Sequence, residues 1–254
     1  MIELKHISGG YGKHTVIFDV SAVFPRGEVT SLVGANGCGK STLLMMCAGL
    51  LPPASGEILL NGRNVAELTR NALAKQLSYL GQSNSASNIT VKALVSHGRF
   101  PYLGYPRKYS DEDREKIDSA MTLAGVSEFS HRLLNELSGG QQQRARIAMM
   151  LAQDTDAILL DEPLTFLDIS HQLELMELIV RLKSMGKTII MVMHDLNLAL
   201  TYSDKVAVME KGRIIAFDQP HLIAQSGALA ASLGVNAFYS DNAKQYFFNV
   251  KPMK

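Results

Sequence analysis

Glu28-Val29-Thr30-Ser31-Leu32-Val33, then Gly34-Ala35-Asn36-Gly37-Cys38-Gly39-Lys40-Ser41-Thr42, then Leu43-Leu44-Met45-Met46-Cys47-Ala48-Gly49-Leu50 is the stretch on which the fold turns. It reads as a strand, a glycine-rich turn spaced Gly-x4-Gly-Lys-Ser, and an apolar run able to continue as a helix. In that context the spacing is a phosphate-binding loop. Gly34, Gly37 and Gly39 let the backbone take positive φ and come close to a ligand. The amides from Gly34 through Ala35, Asn36, Gly37, Cys38 and Gly39 then line an anion cradle, reinforced by the positive end of the helix behind it. Lys40 brings a full charge to the β- and γ-phosphates, Ser41 offers a hydroxyl to Mg2+, and Thr42 contacts the α-phosphate. A chance lysine in a flexible turn accounts for the loop but not for the strand and helix around it. The expected ligand is a nucleoside triphosphate with magnesium. Cys38, inside the loop, is expected to fill space and to face solvent or ligand.

The chain has 254 residues, enough for one large or two small domains, and 46% of them are hydrophobic, so a substantial core is available. Lysine and arginine total 25 against 24 acidic residues, which argues against a general nucleic-acid binder. Cys38 and Cys47 have no C-x-x-C spacing, so neither a zinc knuckle nor a disulfide framework follows, and a reducing compartment is expected. No run approaches the ~20 apolar residues that cross a bilayer. Met1 to His6 lacks the layout of a signal peptide. A soluble, cytoplasmic protein that docks onto a membrane partner fits these properties.

Residues 2–7 and 16–23 alternate in polarity as strands do, and 56–63 reads as a strand running into an Asn61-Gly62 turn. Together they predict a small antiparallel layer. Leu77–Leu80 is a further short strand, closing at Gly81-Gln82. Residues 83–154 read as a mostly helical insert. One helix starts at Ser110 with Asp111, Glu112 and Asp113 in its first turn and stops at Gly125; a second runs from Gly140 or Gln141 to Gln153. Residues 157–161 return to a buried strand. A helix follows from Ile169 to Met185, its apolar face expected from Leu173, Met176, Ile179, Val180 and Lys183. Strands are predicted at 188–193, 205–209 and 213–217. Alternating strands and helices imply an α/β fold with a parallel sheet and its ligand at the carboxyl ends. Residues 221–254 form a C-terminal extension in which 245–250 is read as an edge strand.

Three constellations supply chemistry. Asp161 and Glu162 end a buried strand before Pro163, where Asp161 suits Mg2+ and Glu162 suits polarising an attacking water. Leu137-Ser138-Gly139-Gly140-Gln141 opens a helix that carries Arg144 and Arg146. Ser138 can cap it and the glycines expose amides, making a second anion site. His194 and Gln82 each close a strand at the same sheet edge, His194 toward the γ-phosphate and Gln82 toward Mg2+ or water. Taken singly, each of these has a bland structural explanation.

Tyr11, Gly34–Thr42, Gln82, Leu137–Gln141, Ile158–Pro163, Asp168 and His194, in this order, resemble the ATP-binding cassette family over nearly the whole chain. The resemblance implies a P-loop NTPase (RecA-like) core over 1–82 and 155–220 carrying the antiparallel layer, with 83–154 as a helical subdomain. It implies a head-to-tail dimer of two copies, each ATP held between the phosphate loop of one and Ser138, Gly139, Gly140 and Gln141 of the other. Tyr11 then stacks on adenine, and Asp168 links the two sites. Leu164 departs from the Ser or Thr common in the family after Glu-Pro. The tracts His97–Gly104, Leu151–Thr155 and Leu167–Met176 are similar to the ATPases of ferric-siderophore and ferric-citrate importers, a group that includes haem and cobalamin importers. That likeness implies ATP and Mg2+ as ligands, a separate membrane permease, an external substrate-binding protein, and a place at the cytoplasmic face of the membrane. An aromatic patch of Phe100, Tyr102, Leu103 and Tyr105 is expected to receive the permease, or else to lie in the helical core. An exporter ATPase and a soluble cassette protein are the alternatives.

Overall fold

The computed structural model describes residues 1–81, 88–241 and 245–250. The chain opens with β1 (Ile2–Tyr11) and β2 (His14–Phe24), then β3 (Val29–Gly34) and α1 (Lys40–Cys47). Next come β4 (Ser55–Leu60), the short β5 (Arg63–Asn64), α2 (Arg70–Ala74) and β6 (Leu77–Leu80). The helical stretch holds α3 (Val91–Ser96), α4 (Asp111–Leu123) and α5 (Gly139–Ala152). After it run β7 (Ala157–Asp161), α6 (Ile169–Ser184), β8 (Thr188–Val192), α7 (Leu196–Tyr202), β9 (Lys205–Glu210) and β10 (Arg213–Asp218). The chain ends in α8 (Pro220–Gln225), α9 (Ala228–Leu233), β11 (Val235–Ser240) and β12 (Gln245–Val250).

Two sheets carry the core. The six-stranded sheet has the order β10-β9-β3-β8-β7-β6, parallel except for β10 at the edge. Its central strands β3, β7 and β8 are buried along their whole length, as expected of strands covered on both faces. The four-stranded sheet, β2-β1-β4-β5, is the predicted antiparallel layer. In β1 the alternation slips between Leu4 and Ile7, so Ile2, Leu4 and Ile7 all reach the core despite their uneven spacing. Parallel register brings Leu80, Gly34, Asp161 and Val192 to one edge of the large sheet. A strand's carboxyl end leaves the sheet there, so the loops that follow these four residues meet above it.

A third apolar cluster lies between α3, α4 and α5, built on Val91, Val95, Ile117, Met121 and Leu134. Ser110 caps α4 in a reciprocal box with Asp113, and Gly125 (φ 65°) follows its last turn, as the sequence predicts. Asp113 has a second role. Its carboxylate accepts from Arg99 Nε at 2.8 Å in a pair only 5% and 8% exposed, and Arg99 also donates to the Ala152 carbonyl. Burial pushes the Asp113 carboxyl up, but Arg99 and Ser110 outweigh it and hold the group below the usual carboxylate range. The stabilisation is therefore complete above the ordinary carboxylate pKa of about 4 and is lost on acidification below it. Removing Arg99 leaves a buried charge unpaired, at a cost of about 3–5 kcal/mol. Arg99→Ala is thus expected to lower the midpoint of thermal unfolding at neutral pH by roughly 10 °C, read by calorimetry.

The structure corrects the sequence reading in several places. The buried face of α6 is Leu175, Met176, Leu178, Ile179 and Leu182, while Leu173 and Val180 are exposed. The core approaches this helix from one turn position away, which periodicity alone does not reveal. Helix α5 begins at Gly139, directly after its Ser138 cap. Residues 245–250 do form a strand, as read from the sequence; among the described residues β12 pairs with β11 in a separate two-stranded sheet, and Tyr246 and Phe248 pack on the core beneath. Of the aromatic patch, Phe100 and Tyr105 are exposed, whereas Tyr102 is partly buried beneath the Arg99 guanidinium, 3.9 Å from its ring.

Candidate active site

Gly34 cannot be another residue: a Cβ there would stand 2.3 Å from the Met209 carbonyl oxygen. The loop it opens ends at Gly39, whose left-handed backbone (φ 106°) starts α1 without any side-chain cap. The first amides of a helix have no partner within it, so those of Lys40, Ser41 and Thr42 are left to serve an anion. The Cys38 amide is used inside the loop, donating to the Ala35 carbonyl at 3.2 Å. Its thiol turns into the core, 7% exposed, which corrects the expectation that it faces solvent or ligand. Burial pushes that thiol's pKa up, so it is a packing group and a poor nucleophile. Lys40 is 5% exposed, and its ammonium donates to the Gly34 (2.8 Å) and Ala35 (3.0 Å) carbonyls. The loop thus holds its own cation in place.

Across the sheet edge, the Ser41 hydroxyl donates to Asp161 Oδ1 at 2.8 Å, and the Tyr79 phenol lies 3.4 Å from Oδ2. Burial pushes the Asp161 carboxyl up, and Glu162 adds to this, against the two hydroxyls and Lys40. Burial, and then Asp161, likewise push the Tyr79 phenol up. Among the described residues no three His, Cys, Asp or Glu side chains gather to cage a metal. One hydroxyl beside one carboxylate is instead the donor set that Mg2+ uses when it arrives on phosphates with part of its water shell. The residues present therefore fit Mg2+ carried by a nucleotide.

Glu162 has a left-handed backbone (φ 52°), unusual for a side-chain-bearing residue, and costs of order 1 kcal/mol. That turn sends its carboxylate to His194, with Oε1 2.7 Å from Nε2, while Thr165 Oγ1 donates to Oε2 at 3.4 Å. Both side chains line one cavity with Leu164, Gln172 and Asp195. His194 sits just before Asp195, which caps α7 by accepting from the Leu198 amide at 2.9 Å. Tyr11, at the end of β1, is half-exposed with its hydroxyl 3.6 Å from Met45 Sδ. Gln82 lies outside the described residues.

Ser138 and Gln141 form a reciprocal cap on α5: Ser138 Oγ accepts from the Gln141 amide, and Gln141 Oε1 from the Ser138 amide. Gly139 and Gly140 lie against Phe166 and Leu167, and Gln143 reaches the Pro163 carbonyl. Among the described residues no hydrogen bond joins this pentapeptide to Gly34–Thr42 of the same chain. Arg144 is not free to meet an anion, because it pairs with Glu174. Asp168 caps α6, accepting from the His171 amide (2.9 Å) and the Ser170 hydroxyl (2.8 Å). These donors, the His171 amide first, hold its carboxyl down at about 2. Phe166 and Ile169 on either side are exposed.

The sequence reading missed Tyr79, Thr165 and the Asp195 cap. Only the register of β6 on β7 puts Tyr79 beside Asp161, and no local pattern announces it.

The sequence profile of the ABC transporter family matches residues 17–165, which include the phosphate loop, the pentapeptide and the Asp161-Glu162 strand end. The chain belongs to the ABC transporter family. As such it is an ATPase coupled to transport. It is 42% identical to the petrobactin import ATP-binding protein FpuD of Bacillus anthracis over 86% of this chain and 81% of that one. It is 38% identical to the ferric enterobactin transport ATP-binding protein FepC of Escherichia coli over 94% of this chain and 89% of that one. A bacterial ABC transporter cassette solved as a dimer superposes with a TM-score of 0.77 at 28% identity, covering 87% of this chain and 99% of that one. No helix among the described residues of this family member is long and apolar enough to cross a membrane.

Proposed function

We propose that this chain is the motor of an importer for ferric siderophores or a related metal chelate, driving a separate integral-membrane permease supplied by a substrate-binding protein. The observation that carries the motor is the meeting of the Ser41–Asp161 and Glu162–His194 pairs beside the phosphate loop at one sheet edge. The cargo reading is supported by the names of the similar import proteins, for petrobactin and ferric enterobactin. In this reading residues 1–82 and 155–220 are the catalytic core, 83–154 the helical subdomain and 221–254 the extension, and the protein works at the cytoplasmic face of the membrane.

Lys40 and the amides of residues 34–42 grip the triphosphate, and Tyr11 stacks on its base. Ser41, Asp161 and Gln82 hold Mg2+, which supplies charge neutralisation on the phosphates when bound. Glu162 polarises the attacking water, and His194 orients Glu162 and faces the γ-phosphate. Ser138, Gly139, Gly140 and Gln141 cover the phosphate of a second copy placed head to tail, and Asp168 couples the two sites. The dimeric solved cassette supports this trans arrangement, as does the lack, among the described residues, of a hydrogen bond from the pentapeptide to its own phosphate loop. Phosphoryl transfer in such a site is mostly positioning and charge compensation. The test is uptake of labelled ferric siderophore, haem and cobalamin by cells lacking this protein. Ferric siderophore uptake is expected to fall to background and to return with the intact gene. Normal uptake of that cargo with loss of another reassigns the substrate.

A further inference from the structure

Tyr79 is the third residue of β6, directly opposite Leu159 of β7, and Leu80 is opposite Leu160. Asp161 is the next strand residue but one after Leu159, so the pleat puts Tyr79 and Asp161 on the same face of the sheet. A tyrosine ring directed along the strands spans that offset, and its hydroxyl ends 3.4 Å from Asp161 Oδ2. The route crosses Gly81. A Cβ on Gly81 would stand 2.8 Å from the Tyr79 ring and 3.0 Å from its hydroxyl oxygen, so only glycine leaves this path open. The other carboxylate oxygen, Oδ1, is already turned to Ser41 on the phosphate-loop side. A carboxylate on a single-bonded stem rotates freely unless both oxygens are tethered, and here one hydroxyl stands at each. Asp161 itself is 5% exposed, so water has little access to replace either one.

We propose that Tyr79 is a positioning residue for Asp161, fixing the carboxylate plane so that Oδ1 points at the Mg2+ carried by the nucleotide. The inference rests on the assignment of Asp161 to Mg2+ made above. A serine hydroxyl that lends a lone pair to a metal keeps its proton, so Ser41 would still hold Oδ1 while the Tyr79 hydroxyl holds Oδ2 and keeps the carboxylate from turning away. Gly81 serves the same end by leaving room for the phenol. The role separates two quantities that a packing role would not. Affinity for the metal on the nucleotide depends on Tyr79, and affinity for metal-free nucleotide does not.

The experiment uses the full-length protein with a non-hydrolysable ATP analogue, and Mn2+ as a paramagnetic probe. Bound Mn2+ is counted by electron paramagnetic resonance, and nucleotide affinity in chelator is measured separately. Tyr79→Phe keeps the ring and is expected to weaken Mn2+ binding to the nucleotide-loaded protein about fivefold, the scale of one ordinary net hydrogen bond, with metal-free nucleotide affinity unchanged. Gly81→Ala leaves the phenol intact but crowds it, and is expected to move metal affinity in the same direction; it carries the test if the phenylalanine variant folds poorly. Asp161→Asn reports on the underlying assignment. If it binds Mn2+ as the parent does, Asp161 is not the metal's partner and that assignment falls. If it weakens Mn2+ binding while Tyr79→Phe and Gly81→Ala do not, the positioning role alone is overturned.

Discussion

Glu162→Gln is expected to lower ATP turnover by about 10²–10⁴-fold while ATP affinity stays within a small factor of the parent, the loss being that of a positioned general base. The substitution is nearly isosteric. It keeps the left-handed backbone at residue 162 and leaves an oxygen in place to accept from His194. What disappears is the basic electron pair that draws a proton from water. Binding groups on the other side of the site, Lys40 and the loop amides, are untouched. A nucleotide that is bound but not cleaved keeps two copies together, so the variant is expected to elute as a dimer with ATP and as the parent does without it. Single-turnover phosphate release and size-exclusion chromatography read the two effects. Near-parental hydrolysis in this variant would remove Glu162 from the role of base.

Lys40→Ala is the second large effect, and it acts on the opposite quantity. The ammonium is buried and held by two loop carbonyls, so it needs little ordering when a phosphate arrives. Truncating one member of a buried, hydrogen-bonded charge pair costs about 2–5 kcal/mol, which places the loss of nucleotide affinity on the order of 10²–10³-fold. The Gly34 and Ala35 carbonyls also lose their donor, leaving acceptors turned toward the site where an anion would sit. Equilibrium titration with a fluorescent ATP analogue measures the change. Unchanged affinity would mean that backbone amides alone bind the phosphates.

What the sequence discloses and what it hides divide along a physical line. The phosphate loop, the buried strands at 157–161 and 188–192 and the caps at Ser110 and Ser138 were legible, because each is a local pattern of glycine spacing, continuous apolar run or capping residue. The α6 face was misread because Leu173 and Val180 satisfy helical periodicity while the neighbouring elements lie elsewhere. The strand at 245–250 was legible, but its partner β11 was not, because a strand's own residues do not name what they pair with. Cys38 is the plainest case. Inside a glycine loop it looks surface-bound, yet its sulfur lies where a Gly34 Cβ would come within 2.9 Å, wedged under the loop's first residue. Asp161 and Glu162 were placed correctly, since the end of a buried strand fixes where they emerge. Tyr79 belongs to the same site, but it arrives on another strand.

The turn at Gly212 joins three parts of the molecule. Its amide donates to the Cys38 carbonyl, its carbonyl accepts from the Phe18 amide, and a Cβ there would stand 1.9 Å from the Val16 carbonyl. Phosphate loop, antiparallel layer and the outer hairpin of the large sheet are therefore riveted at one point. Tyr11 on that layer and Lys40 in that loop cannot slide apart, so the span between them is a fixed gauge. With Tyr11 on the base and Lys40 on the phosphates, as proposed above, such a gauge would measure the length of what it grips as well as its charge, and a triphosphate without a base, or a base on a shorter tail, would fail one end of it.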